Sequence, residues 1–393
     1  MAKRRAIEIS AAVAEAAKLA DVDVVAAYPI TPQTHIVETL ANFIADGEMD
    51  AEYINVESEH SAMSACVGAS AAGARVLTST NSQGLALMHE ILYIASACRL
   101  PIVMPVVNRA MSAPINIWCD HQDSMGERDT GWIQFYVETG QEAFDTTLQA
   151  FKIAEDSDVL TPVMICLDGF ILSHLIEPIM ILEKKEVGQF LDSVYKPVNV
   201  LHPNKPISIG LLGMPDYYFE LRRQQVDALE KAKKVIAKVD KEYEELFGRR
   251  YSFFESYKID DADVVLMTIG SMTGTARVAI DKLREEGKKV GLLKLRVFRP
   301  EPYSEIYDVI KNIKVLAVVD RNLEPGAFGG VVFGEVRSAF YNREKKPQIM
   351  NFIVGLGGRD ITVDNFLEMA DTALRVVETG KMEKIIEYIG LRE

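Results

Sequence analysis

Cysteine is scarce in this 393-residue chain: Cys66, Cys98, Cys119 and Cys166 lie far apart, and no C-x-x-C occurs. That spacing argues against a zinc site, an iron–sulfur cluster or a disulfide framework, and the apolar runs around three of them point to buried thiols. Long apolar runs are also missing. No stretch approaches the ~20 residues of a membrane span, and Lys3-Arg4-Arg5 leads into an amphipathic helix pattern rather than a signal-peptide core, so a cytoplasmic location is expected. Positive charge is in deficit: 43 Lys+Arg stand against 57 Asp+Glu, the formal net charge is −14, and no basic run exceeds Lys3-Arg4-Arg5. A phosphate-neutralising surface for nucleic acid is therefore not expected. Phosphate loops are lacking too: the loop after the first strand, Tyr28 to Thr34, has no glycine, and no G-x-x-x-x-G-K-S/T occurs. Gly270-Ser271-Met272-Thr273-Gly274 reads as a tight strand-to-helix turn or a weak glycine loop. His60, His89 and His121 have no helical metal spacing, so no metal set of the chain's own is expected.

What is present is ordinary globular composition, 48% hydrophobic and 25% charged, with length for two domains. From Asp23 to Asp168 short β-branched runs alternate with helical patterns, which reads as an α/β fold with a parallel sheet covered on both faces. A long amphipathic helix from about Asp216 to Phe247, stopped by Gly248, reads as a bridge. Alternation restarts at Asp263. The expected units are therefore 1–248 and a smaller α/β unit, 249–393.

A parallel sheet binds ligands beyond the carboxyl ends of its strands, so the loops there carry the interest. Tyr28-Pro29-Ile30-Thr31-Pro32 is a stiff loop in which Thr31, or Thr34 beyond it, offers a ligand contact or a helix cap. In Val56-Glu57-Ser58-Glu59-His60, Glu59 opens a helix of small residues able to pack closely on another backbone; the plainer alternative is a carboxylate placed to suit the helix dipole. Thr80-Asn81-Ser82-Gln83-Gly84 opens another helix, as a cap or as a seat for a polar ligand edge. Arg109, just past a strand end, reads as a carboxylate clamp or as a surface partner of Asp120 or Asp123.

Taken in order, Tyr28–Pro32, Val56–His60, Ser82-Gln83-Gly84-Leu85, Asn108-Arg109, Ser112–Trp118, Arg128–Trp132 and Gly355-Leu356-Gly357-Gly358-Arg359-Asp360 resemble the alpha subunits of the 2-oxoacid:ferredoxin oxidoreductases, nearest the pyruvate group, over nearly the whole chain. The resemblance implies a thiamine diphosphate (pyrimidine-type) α/β domain followed by a transketolase C-terminal-like domain. It implies that Mg²⁺, the cofactor's diphosphate and a [4Fe–4S] cluster belong to a beta subunit, with gamma and ferredoxin-like delta subunits completing the complex. By the same resemblance Glu59 is the glutamate that activates the aminopyrimidine, Thr31 and Arg109 contact the 2-oxoacid, and Pro29, Ser82 and Gln83 contact the cofactor. His60 and the loop 112–123 are left without an assigned role. The implied reaction joins a 2-oxoacid and CoA to give acyl-CoA and CO₂, with electrons passing through iron–sulfur clusters to ferredoxin. Thr31 favours a mono-carboxylate, because oxalate-using relatives carry arginine there. Pyruvate is the first expectation, with a branched-chain or aromatic (phenylglyoxylate) 2-oxoacid as the alternative. A non-catalytic scaffold subunit with a transketolase-like fold is the rival from another class.

Overall fold

The computed structural model describes residues 3–392. Two parallel sheets form where the apolar runs alternate with helices. The first has the order Val297–Arg299, Ile133–Tyr136, Val163–Asp168, Ile102–Asn108, Val76–Leu77, Val24–Ala27, Glu52–Asn55, and only Val297–Arg299 runs antiparallel to its neighbour. The second has the order Ile386–Tyr388, Gln348–Ile353, Val315–Asp320, Val264–Ile269, Val290–Leu295, Phe254–Tyr257, with only Phe254–Tyr257 antiparallel. Central strands such as Ile102–Asn108 and Val163–Asp168 are buried throughout, as expected when helices cover both faces of a parallel sheet. Both units are thus α/β.

Some elements are not visible in the sequence pattern. Lys3–Glu8 pairs antiparallel with Ile176–Ile181 as a separate ribbon. Lys3 to Arg5 and Ala6 are exposed, so this strand shows none of the apolar alternation that marks a half-buried one. Val297–Arg299 has only three residues, yet it closes the edge of the first sheet from beyond residue 248 and shields that edge from stray pairing.

The helix Pro215–Phe247 starts with proline in its first turn and ends at Gly248 with φ +69°, the left-handed conformation glycine adopts without a Cβ penalty. Its buried residues Ala228, Ala232, Val235, Ile236, Val239 and Tyr243 keep helical spacing. Buried polar contacts help to lock it in place. Arg296 donates to the Asp240 carboxylate at 3.1 Å, and Tyr243 donates to Asp145 at 2.7 Å. Asp240 and Asp145 are both buried, so each pairing offsets the cost of a desolvated charge. Among the described residues no helix is long and apolar enough to cross a membrane.

Candidate active site

Arg109 lies just past the strand Ile102–Asn108 and is only 7% exposed. Its guanidinium spends its donors on backbone carbonyls, Nε to Asn116 at 2.9 Å and Nη1 to Thr31 at 2.9 Å. Among the described residues it pairs with no carboxylate side chain, so the expectation of a surface partner in Asp120 or Asp123 is not what forms. Burial lowers the pKa of the guanidinium and the nearby Asp123 charge raises it, and the group stays protonated. Arg109 and Thr31 are brought together, with one arm of the fork left for a ligand.

Asp123, in the short helix Gln122–Gly126, holds this corner from behind. One carboxylate oxygen accepts the N–H groups of Ser82 and Arg109, both at 2.9 Å. The other accepts Asn108 Nδ2 and the Ser124 N–H, both at 2.8 Å. Burial pushes the Asp123 carboxyl up to about 6, against the lowering effect of these hydrogen bonds. Ser82 sits at φ +47° and donates from Oγ to the Ala110 carbonyl at 2.6 Å. The expected Ser/Asn cap on the helix Ser82–Ala97 is therefore absent, and Asp123 receives the first N–H instead. Nor does Thr31 or Thr34 cap the helix Thr34–Ala45. The loop Tyr28–Pro32 is held by Gln33, which donates to Ser79 at 2.6 Å and accepts from Ile30, and by Asn81, which donates to the Ile30 carbonyl at 3.2 Å. Pro29 lies exposed in it.

Glu59 is the first residue of the helix Glu59–Ala71, whose N-terminus is capped by Ser58 accepting from Ser61 N at 3.2 Å. It is 7% exposed, and among the described residues no donor reaches its carboxylate. Its neighbour across the cleft is Gly84: a Cβ there would lie 2.6 Å from Glu59 Oε1 and 2.6 Å from Thr80 Oγ1. Only glycine permits that approach. Thr80 Oγ1 beside it, and Asn81 Oδ1 and Gln83 Nε2 in the same loop, are buried without hydrogen-bond partners among the described residues, polar atoms open to a ligand. His60 points elsewhere, its Nε2 lying 3.8 Å from Glu90 on an exposed surface.

The loop after Arg109 docks onto the second unit. Asn116 Nδ2 donates to Gly357 O at 3.1 Å, Gly357 N to Asp120 at 3.2 Å, and Gly358 N to Cys119 O at 2.7 Å. Gly358 has φ +82°, and a Cβ there would collide with Trp118. Ile115 and Trp118 stay exposed. Deeper in the same junction Asp168 ends a first-sheet strand and accepts from His121 at 2.7 Å, Ser271 Oγ at 2.5 Å and Arg321 at 3.1 Å. Burial alone would raise the Asp168 carboxyl, but the His121 and Arg321 charges and the His121 and Ser271 hydrogen bonds hold it well below the usual carboxylate range. Sequence reading missed Asp168 and Arg321; each ends or follows an apolar strand, the one available signal.

Residues 15–241 match the family described as "Pyruvate flavodoxin/ferredoxin oxidoreductase, thiamine diP-bdg", and residues 262–366 match "Pyruvate:ferredoxin oxidoreductase core domain II". The pyruvate synthase subunit PorA of Methanocaldococcus jannaschii is 53% identical over 396 residues, covering 100% of this chain and 99% of that protein. The ketoisovalerate oxidoreductase subunit VorA of Pyrococcus horikoshii is 50% identical, covering 97% of this chain and 96% of that protein. A solved 2-oxoglutarate:ferredoxin oxidoreductase from Magnetococcus marinus shares the fold at a TM-score of 0.74 and 20% identity, covering 96% of this chain, which spans 65% of that one. The full-length likeness to alpha-type subunits, together with strand-end loops that meet around Glu59 and Arg109, means that this chain belongs to the pyruvate:ferredoxin oxidoreductase family.

Proposed function

We propose that the chain is the alpha subunit of a CoA-acylating, thiamine-dependent 2-oxoacid oxidoreductase, with pyruvate as the favoured substrate. The observation that carries this reading is Glu59: a buried carboxylate with no donor from the described residues, facing Gly84 and the Thr80 hydroxyl, itself buried without a partner among the described residues. A buried ionisable group is ordinarily paired, so its partner is supplied from outside the chain, and an aminopyrimidine N1′ fits a lone carboxylate.

Thiamine diphosphate, when bound, supplies a carbon nucleophile for the 2-keto carbon and an electron sink once CO₂ leaves. Glu59 holds the proton shared with N1′ at its carboxylate oxygen, and the Gly84 cradle fixes that oxygen. Thr80, Asn81 and Gln83 offer polar atoms to the cofactor's edge, and Ser82 and Pro29 shape the walls. Arg109 anchors the substrate carboxylate with the arm of its fork left free by Thr31 and Asn116. Thr31 brings no second positive charge to neutralise a second carboxylate group, which supports a mono-carboxylate substrate. The loop 112–123, pinned to Gly357 and Gly358, steadies Arg109 through the Asn116 carbonyl.

In this reading 2-oxoacid, CoA and oxidised ferredoxin give acyl-CoA, CO₂ and reduced ferredoxin. Mg²⁺, the diphosphate contacts and the [4Fe–4S] clusters belong to beta-, gamma- and delta-type partner chains in the cytoplasm; the dispersed cysteines, three of them buried, support that division. Residues 1–248 and 249–393 act as its two units. A branched-chain 2-oxoacid is the second reading, favoured by the 50% identity to a ketoisovalerate oxidoreductase subunit. The test is a panel of pyruvate, 2-ketoisovalerate, phenylglyoxylate and oxalate, assayed with the complex purified through this chain. Highest kcat/KM for pyruvate is expected, while ferredoxin reduction with 2-ketoisovalerate alone would give the second reading, and no turnover with any acid would leave a scaffold.

A further inference from the structure

Three ligand-type side chains from distant stretches meet in one cluster. Glu8 ends the strand Lys3–Glu8, His35 lies in the first turn of the helix Thr34–Ala45, and His174 follows the strand Val163–Asp168. One nitrogen from each imidazole and a carboxylate oxygen of Glu8 all lie within 4.8 Å of one another. His35 Nδ1 is 2.7 Å from Glu8 Oε1, and the two imidazole rings face each other with centroids 4.4 Å apart. We propose that Glu8, His35 and His174 form a binding site for a divalent first-row transition ion of the zinc type.

The donor set suits such an ion: two imidazoles and a carboxylate are borderline ligands, and three protein ligands leave a fourth position for water. Neutral imidazole is the form that binds metal. Burial, and then the His35 charge, lower the pKa of His174, while Glu8 raises it. His174 also has the outer support that metal-bound histidines show. Its Nδ1 lies 2.8 Å from Ser173 Oγ, which accepts the Phe170 N–H at 2.9 Å. Donation from Nδ1 to that oxygen leaves Nε2 as the ligand atom.

The frame is stiff where it must be and open where it must be. Ser10 Oγ and the Ser10 N–H both donate to the Ser173 carbonyl, at 2.8 and 3.0 Å, and Ile9 N donates to Leu175 O at 3.0 Å, so the chain beside Glu8 is stitched to the turn carrying His174. Glu8 and His35 keep 29% and 46% of their side-chain surface exposed, enough for entry and for the small rotamer change that draws the ligands to tetrahedral spacing. The other convergent trio, Cys119, His121 and Asp168, is buried throughout and already has the Arg321 guanidinium 3.1 Å from Asp168 as its cation. It leaves a metal no role.

The test uses the full chain, stripped with chelator and titrated with Zn²⁺ by calorimetry near neutral pH. One equivalent is expected to bind and to raise the melting temperature, with His35→Ala and His174→Ala each weakening uptake by at least ~10-fold. His202→Ala, on an exposed turn, should bind as wild type does. Metal-free melting curves check that the variants fold; should His174→Ala fail that check, His35→Ala and Glu8→Gln, both at half-exposed side chains, decide. Absence of stoichiometric uptake by the wild-type chain, or uptake unchanged in His35→Ala, overturns the site.

Discussion

Arg109 donates from Nη1 to the carbonyl oxygen of Thr31 at 2.9 Å, across 78 residues of sequence. The substrate-facing loop and the anion-binding fork are thus one unit. A lysine offers a point charge and cannot direct two bonds to Thr31 and Asn116 while reaching a carboxylate.

Arg109→Lys should lower kcat/KM for the 2-oxoacid by ~10- to 100-fold, the worth of one charge-assisted hydrogen bond, with cofactor occupancy little changed. Steady-state kinetics on the assembled complex, with bound thiamine measured alongside, check this. Equal kcat/KM in the two proteins would remove Arg109 from the site.

Glu59→Gln keeps the shape of the side chain but not its proton chemistry, so turnover should fall by ~10²–10⁴ while the complex still assembles. Gly84→Ala probes the same carboxylate from the opposite side. Its new Cβ would sit 2.6 Å from Glu59 Oε1 and displace it, for a loss of about 10²-fold in rate. Alanine is the better helix former by ~1 kcal/mol, which offsets part of the ~1–3 kcal/mol that a Cβ forced into a packed site costs, so the melting temperature should fall only modestly. A rate loss matched by an equal drop in melting temperature would point to general damage rather than to displaced Glu59.

Asp123 binds the backbone N–H groups of two adjoining strand-end loops, those of Ser82 and Arg109. Its carboxyl is pushed up to about 6 by burial, so protonation below that pH weakens both bonds while the unfolded chain, with an ordinary carboxyl, is still ionised. The raised value means that the folded state takes up the proton more readily; this group's contribution to stability therefore falls as pH rises from about 4 through about 6. Activity should move the opposite way, with kcat/KM for the 2-oxoacid declining below about pH 6 as the ionised tether is lost. In Asp123→Asn that acid limb should flatten at a lower overall rate, because an amide nitrogen meets N–H donors. A pH–rate profile of variant and wild type with the same acid limb would show that another group sets it.

Legibility in the sequence followed the range of the physics. Strand ends of a parallel sheet face the ligand, so Thr31, Glu59 and Arg109 could be picked from loop position and residue chemistry, with the family resemblance supplying their roles. The support behind them depends on contacts that no local pattern records. Asp123 could be seen only as a possible partner for the Arg109 side chain, and it binds the Arg109 backbone instead. Gly84 is legible only as part of the segment that opens the helix after Thr80, and no local pattern says that Glu59 lies against it. The strands Lys3–Glu8 and Val297–Arg299 escaped because one is largely exposed and the other is too short to show a period.

The junction between the two units carries the last prediction. Asp168 is fully buried and accepts from His121, Ser271 and Arg321, which together hold its carboxyl well below the usual range despite burial. A depressed carboxyl stabilises the fold above the unfolded-state pKa of about 4, and that contribution is lost progressively as pH falls through the folded value. Asp168→Asn leaves the Arg321 charge buried without its counter-ion, so it should cost ~3–5 kcal/mol at neutral pH, the usual scale for breaking a buried pair. Below about pH 4 wild type alone loses the contribution, at ~1.4 kcal/mol per pH unit for one proton, so the two proteins should converge. Denaturant unfolding of the full chain from neutral pH to about pH 3 measures the gap. A gap constant across that range would mean that Asp168 is not the titrating lock of this junction, whatever its removal costs at neutral pH.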